Sequence, residues 1–467
     1  MKLLLCFVIA CAVSSQAFFR PKKHSVPLEI GADPGEPLFL TPLLEQGKIE
    51  KAQKESKVKP DLAGLPSYSG YFTVNKNCGS NLFFWFFPSQ NDWKTAPVLL
   101  WLQGGPGATS MYGLFEELGP YRSLKSGLKK RKYSWNVYNN LLFIDQPVGT
   151  GYSFTNNSGC YPTNETAVGV DLYSALTQFF TLFPDLQENN FFISGESYAG
   201  KYIPAIGHTI HQNNPSADIK INLQGMFIGD GWSDPLTQTN YGDYLYELGF
   251  IDTAQRKLYY QAQKKFEKEV KNGDYENAST TLDSLTEDLY TQCVGSEVSV
   301  YNYLPKKSEE STWDTFIQKA KTRKSIHVGA TPFRWGDDTY KNLEIDIVMS
   351  VKPWVEELLE YYPMLFYNGE VDIICAYPMT VHFLRSLQWS GEEGYKNATR
   401  YKWKVGDDLA GYFKFSGNLM ELMVRDAGHM VPADQPKWAF NMINMATGVF
   451  NHSLMDIVYS SENENDV

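Results

Sequence analysis

Hydrophobic positions along the chain change period several times, and each change marks an expected element. Residues 18–65 are polar and broken by Pro and Gly, apart from a helix-like stretch from Leu43 to Glu55. They read as an N-terminal extension, a candidate propeptide. The pattern then turns strand-rich over 66–233: Gly70–Val74, Asn81–Phe87, Val98–Leu102 and Leu141–Ile144 are short apolar or alternating runs. Leu172, Ala175, Leu176, Phe179, Phe180 and Leu182 follow at helical spacing, before two more apolar strands at Phe191–Ile193 and Leu223–Ile228. Residues 234–344 have a different texture, rich in Lys, Glu and Tyr, with a helical run from Ala254 to Val270. This segment is expected to be a mostly helical cap insertion. Residues 345–455 return to core patterning, with strands at 363–368 and 419–424 and a closing helix from Pro436 to Met445. An acidic tail, 456–467, ends the chain. Strands alternating with helices predict an α/β fold whose mainly parallel sheet is covered on both faces.

The first 17 residues combine Lys2, a short apolar run from Leu3 to Val13, and small residues at Ser15 and Ala17. That is the pattern of a secretory signal peptide, too short to span a bilayer. The expected location is extracellular or a lysosome-like lumen, with no membrane span. Five glycosylation sequons, at Asn156, Asn164, Asn277, Asn397 and Asn451, agree with that route. Loss of the leader would remove Cys6 and Cys11 and leave Cys78, Cys160, Cys293 and Cys375, which allow three pairings or free thiols. A net charge of −11 without a basic stripe argues against a nucleic-acid partner. The seven histidines show no zinc-ligand spacing, so neither a metal nor another cofactor is expected.

The stretch Phe191–Gly200, FFISGESYAG, runs a strand into a small-residue turn around Ser197. Gly195 and Ala199 leave room for the sharp strand-to-helix turn that lifts a nucleophilic serine above a sheet. A hydroxyl needs a base, and the base an orienting acid. Asp372 follows the strand at 363–368, and His429 follows the last strand beside Gly428, in the chain order nucleophile, acid, histidine. The Gly-rich loop Gln103–Gly107 follows the strand Val98–Leu102. By position, the N–H groups of Gly105 and Tyr198 are candidate oxyanion-hole donors. As a phosphate cradle the loop lacks both the P-loop Lys-Ser/Thr and dinucleotide spacing. Glu196 is the anomaly, since a negative charge beside the serine should oppose an oxyanion.

Together the segments YSGYFTV, LWLQGGPG, LFEELGPY, IDQPVGTGYSF, SGESYAGKYIPA, NGEVDIIC and AGHMVPADQP, spread over residues 67–450, strongly resemble the serine carboxypeptidases. EPLFLTPLLEQGKIEKAQ and the Gln of LWLQGGPG are most similar to the vitellogenic and venom-type members of insects. The resemblance implies an α/β-hydrolase fold with a helical cap insertion, and metal-free removal of C-terminal residues from peptides through a Ser197 acyl-enzyme. It also implies that Glu196 and Glu117 share a proton and, with Gln103 and Gly104 N–H, bind the substrate's terminal carboxylate, best at mildly acidic pH. Two positions depart from the family pattern: Gln103 replaces the usual Asn, and Ala108 the usual Cys, which removes the common bridge from there to the cap. Some relatives dimerise, so a homodimer stays open. The alternatives are an acyltransferase on the same triad, an esterase or lipase on the same fold, and a catalytically silent secreted binding protein.

Overall fold

In the computed structural model, the described residues are 27, 31–304 and 311–448. The expected leader, Asn451 and the acidic tail lie outside them. A ten-stranded sheet organises the chain. Its strands are β1 (Tyr68–Asn75), β2 (Ser80–Phe87), β3 (Val98–Leu102), β4 (Asn140–Ile144), β5 (Phe191–Glu196), β6 (Leu223–Gly229), β7 (Met364–Gly369), β8 (Tyr401–Val405), β9 (Asp408–Ser416) and β10 (Leu419–Val424). They lie in the order β1-β2-β4-β3-β5-β6-β7-β10-β9-β8. The six strands from β4 to β10 in that order are parallel, and the flanking pairs are antiparallel.

The central strands read as unbroken apolar runs because both faces are covered. In β3, Leu100 and Leu102 join one core and Leu99 and Trp101 the other. The first core is closed by α1 (Glu165–Leu182) and α2 (Ala199–Asn213), through Val168, Leu172, Tyr202, Ile203 and Ile206. Between β6 and β7 run mostly helices, among them α3 (Thr253–Lys271) and α4 (Asp337–Ile347). Asp252 and Gln255 cap α3 reciprocally, which fixes its start. The second core is closed by α5 (Pro436–Ala446), through Ala439, Met442 and Ile443. Cys78 and Cys160 form a disulfide, while Cys293 and Cys375 are free. The asparagines of the four described sequons are exposed. No helix among the described residues is long and apolar enough to cross a membrane.

Parallel strands align their C-terminal ends, so β3, β5, β6, β7 and β10 all deliver their following loops to one rim of the sheet. Gln103, Ser197, Asp230, Asp372 and His429 all follow those ends.

The helix expected over Leu43–Glu55 is instead two short helices, Thr41–Glu45 and Ile49–Ser56, parted at Gly47, whose φ is +67°. This N-terminal stretch is stitched to the sheet. Leu40 N–H donates to Tyr71 O (2.9 Å), Tyr71 N–H donates to Leu38 O (2.9 Å), and Leu40, Leu44 and Ala52 enter the first core. It covers the free edge of β1. Truncation at Ser56 is therefore expected to expose that edge and remove two buried leucines, a cost of about 4 kcal/mol. A melting temperature lower by roughly 4–5 °C would register it. Any maturation cut that spares the fold falls before Leu38.

Candidate active site

Ser197 occupies the turn between β5 and α2 with φ +63°, a left-handed conformation that costs a non-glycine residue about 1–3 kcal/mol. The turn is held by Ser197 N–H to Gly229 O (3.0 Å) and by Trp232 N–H to Ser197 O (2.9 Å). Small neighbours are obligatory. A Cβ on Gly195 would lie 2.2 Å from Leu102 O, and one on Gly104 would lie 2.5 Å from Tyr198 N and 2.7 Å from Ser197 Cβ. The Gln103–Gly107 loop thus presses directly against the serine turn. Gly105 has φ +111°, which suits glycine there. Tyr198 anchors the turn from its other side: its hydroxyl donates to Asp346 Oδ2 on α4 (2.6 Å), and Asp346 pairs with Lys201 (2.5 Å).

Asp372 and His429 are brought together, both buried, with His429 Nδ1–H donating to Asp372 Oδ2 at 2.8 Å. The other oxygen accepts Ile374 N–H (3.0 Å), and Oδ2 also receives Cys375 N–H (3.3 Å). This commits the imidazole proton to Nδ1 and leaves Nε2 as an acceptor. Nε2 is buried and has no hydrogen-bond partner among the described residues. A strap that turns at Val300–Tyr301, between the bridged Ser299 and Asn302, holds both loops: Val300 O accepts Ile373 and Ile374 N–H, and Tyr301 O accepts His429 N–H at 2.7 Å. The sequence offers no signal for this strap beyond its apolar alternation.

Glu117 and Glu196 are both buried, and Gln103 lies between them. Its Nε2 donates to Glu196 Oε1 (2.6 Å) and Glu117 Oε1 (3.2 Å), and its Oε1 accepts the Trp101 indole N–H (3.0 Å). The extra methylene of Gln103 therefore reaches both acids. Burial raises Glu117 to about 7, and burial with the facing Glu117 charge pushes Glu196 well above the usual carboxylate range. The remaining oxygen of each acid has no donor among the described residues, and the two carboxyl groups face each other across Gln103 Nε2. Two facing acceptors require a shared proton.

Asp230, which the sequence analysis does not single out, also lies at this rim. It is fully buried with φ +43°, and its Oδ1 accepts Gly369 N–H at 2.9 Å. Asp230, Asp372 and His429 each place one oxygen or nitrogen within 4.8 Å of the others, the composition of a cation site. However, the Asp372 oxygens and His429 Nδ1 are already committed to each other and to backbone N–H groups.

Comparison with known proteins places the chain in a family. The family model described as serine carboxypeptidase matches residues 59–448. The chain belongs to the serine carboxypeptidase family. This serine-type carboxypeptidase is 47% identical over 440 residues to the venom serine carboxypeptidase of Apis mellifera, covering 91% of this chain and 94% of that one. It is also 47% identical over 427 residues to the vitellogenic carboxypeptidase of Aedes aegypti, covering 88% and 90%. Its fold is shared with a prohormone-processing carboxypeptidase from Saccharomyces cerevisiae, with TM-score 0.75 at 24% identity over 84% of this chain and 95% of that one. The large, mostly parallel sheet flanked by helices is that of the α/β hydrolases.

Proposed function

We propose that this carboxypeptidase is a secreted or luminal enzyme that removes C-terminal residues from peptides through a Ser197 acyl-enzyme, most effectively at mildly acidic pH. His429 Nε2 takes the serine proton and returns it to the leaving amine, while Asp372 holds the tautomer and stabilises the imidazolium. The N–H groups of Gly105 and Tyr198 receive the oxyanion. Water then repeats the sequence on the ester. The Glu117–Glu196 pair, with Gln103 and Gly104 N–H, receives the free terminal carboxylate, and the 234–344 insertion supplies pocket walls. The observation that carries this reading is the buried acid pair bridged by Gln103 immediately beside the serine turn. An ionised pair would repel the terminal carboxylate, whereas a protonated one donates to it.

Digestion of a mixed peptide library from pH 4 to 8, read by mass spectrometry, tests the proposal. Stepwise loss of C-terminal residues is expected, faster from free-acid than from amidated peptides at acidic pH. Internal cuts, acyl transfer without hydrolysis, or indifference to amidation would overturn it.

A finer outcome concerns Gly104→Ala. The new Cβ would crowd backbone at Tyr198 N, where no flexible side chain can yield. Loss of one oxyanion donor should lower kcat by about 10²–10³-fold, with melting temperature the control for folding.

A further inference from the structure

We propose that Asp230 is a positioning residue that acts through Asp372: as the neutral acid it donates a hydrogen bond to the Asp372 carboxylate, draws charge away from the oxygens facing His429, and so sets the acid limb of activity. The proposal rests on the triad reading of Ser197, Asp372 and His429.

The geometry leaves Asp230 little freedom. Its N–H donates to Tyr367 O (2.8 Å) and its Oδ1 accepts Gly369 N–H (2.9 Å), so β7 grips it at both ends. Its Oδ2 is buried without a donor among the described residues, and an Asp230 oxygen lies within 4.8 Å of an Asp372 oxygen. Two buried carboxyl groups that close cannot both carry a charge cheaply, so one of them holds a proton and can donate to the other. The proton belongs on Asp230. Asp372 receives two backbone N–H groups and the imidazole N–H, while Asp230 receives one backbone N–H. Hydrogen bonds to the charged form favour that form, so Asp372 is the anion. Burial, then the Asp372 charge, pushes Asp230 well above the usual carboxylate range. The groups facing it are Glu196, Tyr367, Asp372, Cys375, His429 and Asp434. Apart from the imidazole these are acidic or neutral, so an ionised Asp230 would add charge to an already negative rim.

Fluorophosphonate labelling of Ser197 as a function of pH tests this without any peptide substrate. Labelling needs the neutral imidazole, so its acid limb reports how strongly Asp372 favours the imidazolium. Asp230→Ala removes the donor, concentrates charge on Asp372, and should move the acid limb up by about one pH unit. Asp230→Asn keeps an N–H donor without a titrating group, and should restore the limb to within about 0.3 units of wild type. A downward shift in Asp230→Asn would mean that a charge had been removed, and would overturn the assignment. So would an unmoved limb in a folded Asp230→Ala. If Asp230→Ala does not fold, the Asp230→Asn profile alone decides between a neutral and an ionised Asp230. Wild-type protein that never labels would overturn the proposed function, and the role of Asp230 with it.

Discussion

Ser197→Ala is expected to lose turnover by about 10⁴–10⁶-fold while folding normally and still binding free-acid peptides. The fold survives because the left-handed turn is held through the backbone N–H and O of residue 197, which alanine keeps. Binding survives because the acid pair and Gln103 do not rely on the hydroxyl. His429→Ala should fall to the same floor, and the double variant should be little worse, since nucleophile and base act as a unit. Asp372→Asn should cost about 10⁴-fold, because an amide facing Nδ1 favours the wrong tautomer. Single-turnover kinetics measure the loss, and calorimetric titration with a free-acid peptide measures retained binding. Turnover within tenfold of wild type in Ser197→Ala would remove Ser197 from the chemistry.

The parts of this site legible in the sequence are those that sit at strand ends. β3 and β10 are legible to the residue, because a strand buried on both faces is an unbroken apolar run, and the loops after them fall at predictable places. The serine turn is legible because sterics demand small residues at Gly195 and Ala199. The β8–β9 hairpin escapes notice because it is an edge element whose face opposite Trp403 and Phe413 carries Lys402 and the buried Lys414, which lies beside Glu421 of β10 and Tyr395. Such polar interiors erase the contrast that periodicity relies on. Asp230 escapes for a related reason, since an aspartate beside glycine after a strand reads as turn chemistry. Its position directly beyond β6, beside the serine strand, is the signal that could have singled it out. The strap at Val300–Tyr303 depends on contacts over long sequence separations, which no local pattern encodes.

The Michaelis constant for a free-acid peptide is expected to stay nearly flat below about pH 7 and to rise above it by about tenfold per pH unit, the slope of one lost proton. The turning point follows Glu117, raised to about 7 by burial. Below it the pair holds its proton and donates to the terminal carboxylate; above it the pair becomes more negative and repels that carboxylate. An amidated substrate carries no such charge and should show little dependence. Glu117→Gln replaces the group that titrates near 7 with a fixed amide beside Glu196, so the rise above pH 7 should flatten, while kcat changes by less than about tenfold because the amide lies outside the proton path of Ser197 and His429. Stability carries the same signature. Both acids have folded values above their unfolded ones, so their contribution is fully present below about 4.5; the Glu117 part is lost as pH rises through about 7, and the Glu196 part only as pH rises through its own raised value. The wild-type melting temperature should therefore fall between pH 6 and 8 more steeply than that of the Glu117→Gln/Glu196→Gln variant. Parallel profiles for wild type and both variants, in Michaelis constant and in melting temperature, would mean that the buried pair holds no titrating proton, and the recognition mechanism built on it would fail.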